Sequence, residues 1–215
     1  ATMTAAHGDP HQLGHGHGSG GEGVHPGPAP KRIVTGYGFW IFLLSDMVMF
    51  SAFFATYAVL HDQTAGGPGG AQLFDLRSVA IETGCLLASS FTCGLASIAA
   101  EVRNKVWFQV AMAVTCVLGL AFLSLEAREL AGLVAQGAGP TRSAFLSAFF
   151  TLVGCHGLHV SAGILWLLTM MAQVTAKGFR PDIQRRILCF ALFWHALDII
   201  WVAVFTVVYL LGSAA

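Results

Sequence analysis

Six side chains that can ionise lie within long apolar runs: Asp46, Glu82, His156, His159, His195 and Asp198. His156 and His159 are three positions apart, as are His195 and Asp198, so on a helix each pair shares one face. Ionisable groups at membrane depth normally face other protein or trapped water rather than lipid. Three chemistries compete for them. Histidine is the usual axial ligand of haem, but His195 is crowded by Phe193, Trp194 and Trp201. A copper or zinc site needs His and Cys converging at close range, which spacing alone does not show. Carboxyls such as Asp46 and Glu82 can hold or pass protons. Finally, all six can be polar contacts that fix which helix faces which, each worth about 0.6 to 2 kcal/mol. For the histidines and Asp198 this structural reading is favoured; for Asp46 and Glu82 it stands level with the proton reading.

The elements that must position these groups are membrane spans. The chain has 215 residues, of which 55% are hydrophobic and 10% charged, and a mean hydropathy of +0.69. Apolar runs of roughly 20 residues, the length a bilayer core requires, recur at 36–60, 77–100, 106–125, 143–174 and 187–211. The expected fold class is an all-α integral membrane bundle of five transmembrane helices, with a domain over 36–212. Residues 1–35 carry His7, His11, His15, His17 and His25 among Gly, Pro and Ala. Such a segment buries too little apolar surface to order itself, so disorder is expected; histidine-rich tracts can also bind metal. The third span is expected to end at Glu126, Ala127, Arg128 and Glu129, where charges can reach the headgroups. Ser143, Ser147, Gly154, Gly157 and Ser161 form a small-residue stripe that lets another helix approach closely.

Zero net charge and the lack of a basic patch argue against nucleic acid. The five cysteines, Cys85, Cys93, Cys116, Cys155 and Cys189, all fall in apolar runs and form no CxxC, which points to reduced packing residues. Alternate loops carry eight Lys and Arg on the N-terminal side and three on the other. The positive-inside rule then places the N-terminus in the cytoplasm and, after five crossings, the C-terminus outside. The residues carry no nucleotide fingerprint, HExxH or Ser-His-Asp order, and by themselves they name no reaction.

A resemblance adds what spacing does not. The stretch from Gly38 to Phe50, GFWIFLLSDMVMF, is similar to the opening helix of subunit III of the haem–copper oxidases. His156-Gly-Leu-His159-Val160 and Phe193-Trp-His195-Ala-Leu-Asp198-Ile-Ile-Trp201 resemble two further signatures of that family, and Glu126 and Glu129 its paired glutamates. The five-helix form is most similar to the branch found in bo-type ubiquinol oxidases.

That resemblance implies a non-redox accessory subunit in the bacterial inner membrane, within a complex that oxidises ubiquinol, reduces oxygen to water and pumps protons. It implies no catalytic or metal residue on this chain, with haems and copper on subunit I as its main partner, and with phospholipids and ubiquinol bound in the complex. Asp46 takes the place of the family's intramembrane carboxylate, commonly a glutamate, as a candidate proton buffer beside Glu82. The candidate interhelical polar contacts are His156, His159, His195, Asp198, Glu126 and Glu129. Gln173 falls near the position of a lipid-binding arginine in longer members. Subunit III of a cytochrome c oxidase is the alternative, and an autonomous proton or solute channel a more distant one.

Overall fold

The computed structural model describes residues 31–64, 66, 76–210 and 212, with the side chains of 31–33 and 35 left aside. The expectations of disorder and metal binding within residues 1–30 lie outside the described residues. Among the described residues five helices are long and apolar enough to cross a membrane: α1 (Lys31–Leu60), α2 (Leu76–Glu101), α3 (Lys105–Ala135), α4 (Ala144–Lys177) and α5 (Pro181–Val204). A π-helical turn, Phe205–Leu210, prolongs α5. The described residues include no strand.

Local chemistry sets the helix ends. Asn104 caps α3 by accepting the Trp107 backbone N–H at 3.3 Å, and Ser143 caps α4 by accepting that of Leu146 at 3.2 Å. Pro181 opens α5, where its missing N–H costs nothing, and Asp182 follows in the first turn beside Arg185. The helix thus begins six residues before the expected 187, and Arg185 and Arg186 lie in its first two turns. Likewise α1 begins at Lys31 rather than 36.

The larger difference is in α3. It does not stop near residue 125 but runs on to Ala135. Glu, Ala, Arg and Leu are strong helix formers, so the charges there carry no stop signal. The stop is Gly137, at φ 77°. With it, the Gly137 N–H reaches the Val134 carbonyl at 3.0 Å and the Ala138 N–H the Leu133 carbonyl at 2.9 Å. This left-handed glycine closure satisfies carbonyls that the helix end would otherwise orphan.

α2 and α3 form an antiparallel hairpin, as do α4 and α5; α5 packs on α2 and α4, and α4 on α3. The centre is aromatic. Gly119 of α3 and Gly163 of α4 both abut the Trp194 ring of α5: a Cβ at either would come within 3.1 or 2.9 Å of it. One indole thus sets the spacing of three helices, and its N–H donates to Ser89 of α2 at 3.1 Å. α1 lies outside this group, against α4 and α5. Only 11% of its apolar window is buried, against 33% to 56% in the other four spans.

Candidate functional site

The polar residues gather in three places. In the first, α5 faces α2. The Nδ1 of His195 lies 2.6 Å from the Ser90 hydroxyl, and Asp198, one turn on, also faces Ser90. Both Asp198 oxygens are buried without a hydrogen bond of normal geometry among the described residues. One turn further, the Trp201 N–H donates to Thr83 at 3.1 Å. Thr83 and Ser90 are seven residues apart, so α2 offers a ladder of hydroxyls to successive turns of α5. That hydroxyl period is the signal that pairs the two helices, and it is weak without knowing which helix sits opposite.

In the second place the two histidines of α4 part company. His156 is fully buried. Its Nε2–H donates to the Leu197 carbonyl at 3.3 Å, and its ring lies among Trp201 at 5.0 Å, Phe122 at 5.7 Å and Phe50 at 6.4 Å. That aromatic enclosure leaves the imidazole as a wedge between helices. His159 turns toward α1. Its Nδ1–H donates to the Cys155 carbonyl at 2.8 Å, and its Nε2 stands 3.8 Å from an oxygen of Asp46. With Nδ1–H committed, the neutral ring presents a lone pair to the carboxylate, so the two groups attract only when they share a proton.

The third place lies where α2, α3 and the π-helical turn meet. Glu82, Glu126 and Glu129 come close enough to repel one another, and the Tyr209 hydroxyl donates to Glu129 at 3.3 Å. Glu126 is the surprise. Expected at the headgroups, it is only 2% exposed, because α3 continues past it and turns it onto α4 at Gly157. A Cβ there would sit 2.9 Å from its Oε2 and 3.1 Å from its Oε1. The glycine between the two histidines of the HGLH motif is thus the gap that admits a carboxyl group. Both oxygens of Glu126 and the Oε2 of Glu82 are buried without a hydrogen-bond partner among the described residues. Glu82, Glu129 and Arg128 also line a cleft of about 340 Å³. A low-dielectric cluster of carboxyls can hold protons, and it also fixes how deeply α3 inserts beside α4.

Among the described residues no three His, Cys, Asp or Glu side chains are placed to hold a metal ion. His156, His159 and His195 therefore do not converge, and each answers a different helix. Elsewhere Arg186 donates to Gln173 at 3.1 Å. Arg185 and Arg186 line a groove of about 570 Å³ with Asp182, Phe39, Phe42 and Trp166, and Asp182 pairs with Arg185. A guanidinium from α5 thus stands beside the position where the resemblance expects an arginine on α4. Spacing within one helix could not reveal either this reach or the Gly157–Glu126 contact, since both are made between helices.

Comparison with known proteins agrees with these motifs. The family model for cytochrome c oxidase subunit III matches residues 21–213. The chain is 49% identical over 209 residues to the cytochrome bo(3) ubiquinol oxidase subunit 3 of Pseudomonas aeruginosa, covering 95% of this chain and 94% of that one. It is 41% identical to the quinol oxidase subunit 3 of Bacillus subtilis, over 81% of this chain and 86% of that one. It is 42% identical to the cytochrome c oxidase subunit 3 of Bacillus sp. (strain PS3), over 81% and 84%.

Proposed function

The chain belongs to the cytochrome c oxidase subunit III family, and from that premise we propose that it is the non-redox third subunit of a proton-pumping bo-type ubiquinol oxidase in the bacterial inner membrane. The observation that carries this reading is the use made of the two histidine motifs. Their side chains meet a serine, a backbone carbonyl and an aspartate on neighbouring helices, which suits a scaffold rather than a redox centre. The haems and copper belong to the catalytic subunit of the complex. This chain stabilises that subunit, supports its proton uptake during oxygen reduction, and holds phospholipids on its surface. The arginine-lined groove beside Phe39 and Trp166 suits an anionic headgroup with its acyl chain laid along aromatic rings. The N-terminus lies in the cytoplasm and the C-terminus outside. The segment ahead of the membrane domain ends where α1 begins, at Lys31.

Affinity purification through this chain tests the reading. Haem-bearing subunits should co-purify and oxidise ubiquinol, whereas the subunit alone should show no Soret band. A Soret band that persists in the isolated subunit would overturn it. The relative from strain PS3 favours a second reading, in which the electron donor is cytochrome c. Turnover by the purified complex with reduced cytochrome c and not with ubiquinol would establish that reading instead.

Within the complex, Asp46 and Glu82 are the proton-buffering candidates. Asp46→Asn should change sustained turnover or pumping with haem content intact; time courses identical to wild type would remove that role.

A further inference from the structure

Glu82 lies six residues after the start of α2 and Glu129 six before the end of α3. At about 1.5 Å per residue both stand about 9 Å inside the helix ends, where spans of 26 and 31 residues pass from headgroups into hydrocarbon. Between them opens the cleft of about 340 Å³, within the size range of small-molecule sites. Glu82 lines it although only 1% exposed, and its Oε2 has no hydrogen-bond partner among the described residues. A buried carboxylate oxygen without a donor is costly, so this acceptor is matched by something that enters the cleft. Glu126 lies behind, close enough to Glu82 and Glu129 to repel both. What enters must therefore bring positive charge.

The rest of the lining tells what carries that charge. Arg128 is exposed at the rim, and Leu125 and Leu133 make apolar walls. A bare cation has no use for the guanidinium or the leucines. A ligand that joins an ammonium to a phosphate, and the phosphate to hydrocarbon, uses all of them. Other grooves of the bundle differ in kind. The one at the opposite end of α2 and α3, lined by Leu95, Ile98, Trp107 and Val110, has no ionisable side chain in its lining, and the Arg185–Arg186 groove offers two cations. We propose that the α2–α3 cleft binds the headgroup of phosphatidylethanolamine, whose ammonium donates to Glu82 beside the charge of Glu129 and whose phosphate pairs with Arg128. Its N–H donors set this headgroup apart from phosphatidylcholine, whose quaternary nitrogen has none, and from phosphatidylglycerol, whose only charge is negative. The inference deepens the phospholipid-holding role read above and rests on it.

Photolabelling of the complex purified through this chain tests it. Vesicles of phosphatidylglycerol carry a small fraction of phosphatidylethanolamine, phosphatidylcholine or phosphatidylglycerol bearing the same acyl diazirine close to the glycerol. Adducts are mapped on this chain by mass spectrometry, with haem content and ubiquinol oxidation read in the same vesicles. The stretch 125–136 should take up the ethanolamine lipid several-fold more than the other two. Glu82→Gln and Arg128→Gln should each bring that labelling down to the level of the choline lipid. The arginine is exposed, so its variant leaves the packed core intact. Equal labelling by the three lipids, or a preference that survives in either variant, would overturn the site and leave phospholipid binding standing. No lipid adduct anywhere on the chain would remove the phospholipid role and the site together. Absent haem would count against the oxidase reading, while the labelling ratio decides the headgroup site in either case.

Discussion

α1 and α5 each carry ionisable groups at mid-membrane, and the bundle treats them in opposite ways. His195 and Asp198 of α5 are enclosed by α2, and the helix that bears them is the most buried span of the chain. Asp46 of α1 faces His159 at 3.8 Å, on the least buried span. The difference teaches that one residue type can serve two purposes according to which surface closes over it. His195 is answered within the chain by Ser90, Asp198 is enclosed beside the same serine, and Asp46 stands partly accessible at the edge of the bundle.

Substitutions can break or sharpen that contrast. Trp194→Ala empties the space shared by Gly119 and Gly163, and large-to-small aromatic changes cost about 3 kcal/mol or more. The detergent-purified protein should unfold at a clearly lower temperature. By contrast Trp40→Ala, on the exposed side of α1, should leave the transition within about 0.5 kcal/mol. Equal losses from the two would erase the distinction between core and periphery.

Gly157→Ala comes next. Its Cβ collides with the Glu126 carboxyl, so a destabilisation of about 1 to 3 kcal/mol is expected from overpacking. Glu126→Ala removes the colliding group, so the double variant should be more stable than the sum of the single losses predicts, with a coupling of about 0.5 kcal/mol or more. Strict additivity would mean that Gly157 is not the gap that admits Glu126.

His195→Ala should cost about 0.6 to 1.7 kcal/mol, the range of an interhelical hydrogen bond in a membrane. In the complex, both it and Asp198→Ala should loosen assembly more than they slow oxygen reduction. Normal subunit content and detergent stability in both would contradict this. Tyr57→Phe, which deletes a 3.3 Å hydrogen bond to the Val208 carbonyl, should have a small effect, about 0.6 kcal/mol. It should be read as increased hydrogen exchange at the C-terminal end of α1.

Much of this fold could be read from residues alone. Five apolar runs gave five spans, because a bilayer imposes one length scale on every crossing. The ends were harder. A charge cluster at Glu126–Glu129 resembles the end of a span, yet helix propensity continues through it and only Gly137 can reverse the chain. The site was legible as a set of residues and not as an arrangement. His156 and His159 share a helical face by spacing, yet one is sealed beside Trp201 and the other opens toward Asp46. No period within α4 distinguishes them, since the distinction is made by Phe122 and Trp201 on two other helices, while Phe50 lies against both rings. The same holds for Ser90, which became the partner of His195 only once α2 and α5 were placed together.

The wider winding of the π-helical turn Phe205–Leu210 has a further consequence. It brings the Val208 carbonyl to Tyr57, 151 residues earlier in the chain, while the adjacent Tyr209 reaches Glu129. During synthesis α1 leaves the ribosome first and α5 last. The C-terminal end of the first helix is met earlier by α4, where the Phe145 ring stands 5.9 Å from that of Tyr57, so the bond to Val208 is the last in order of synthesis to close over it.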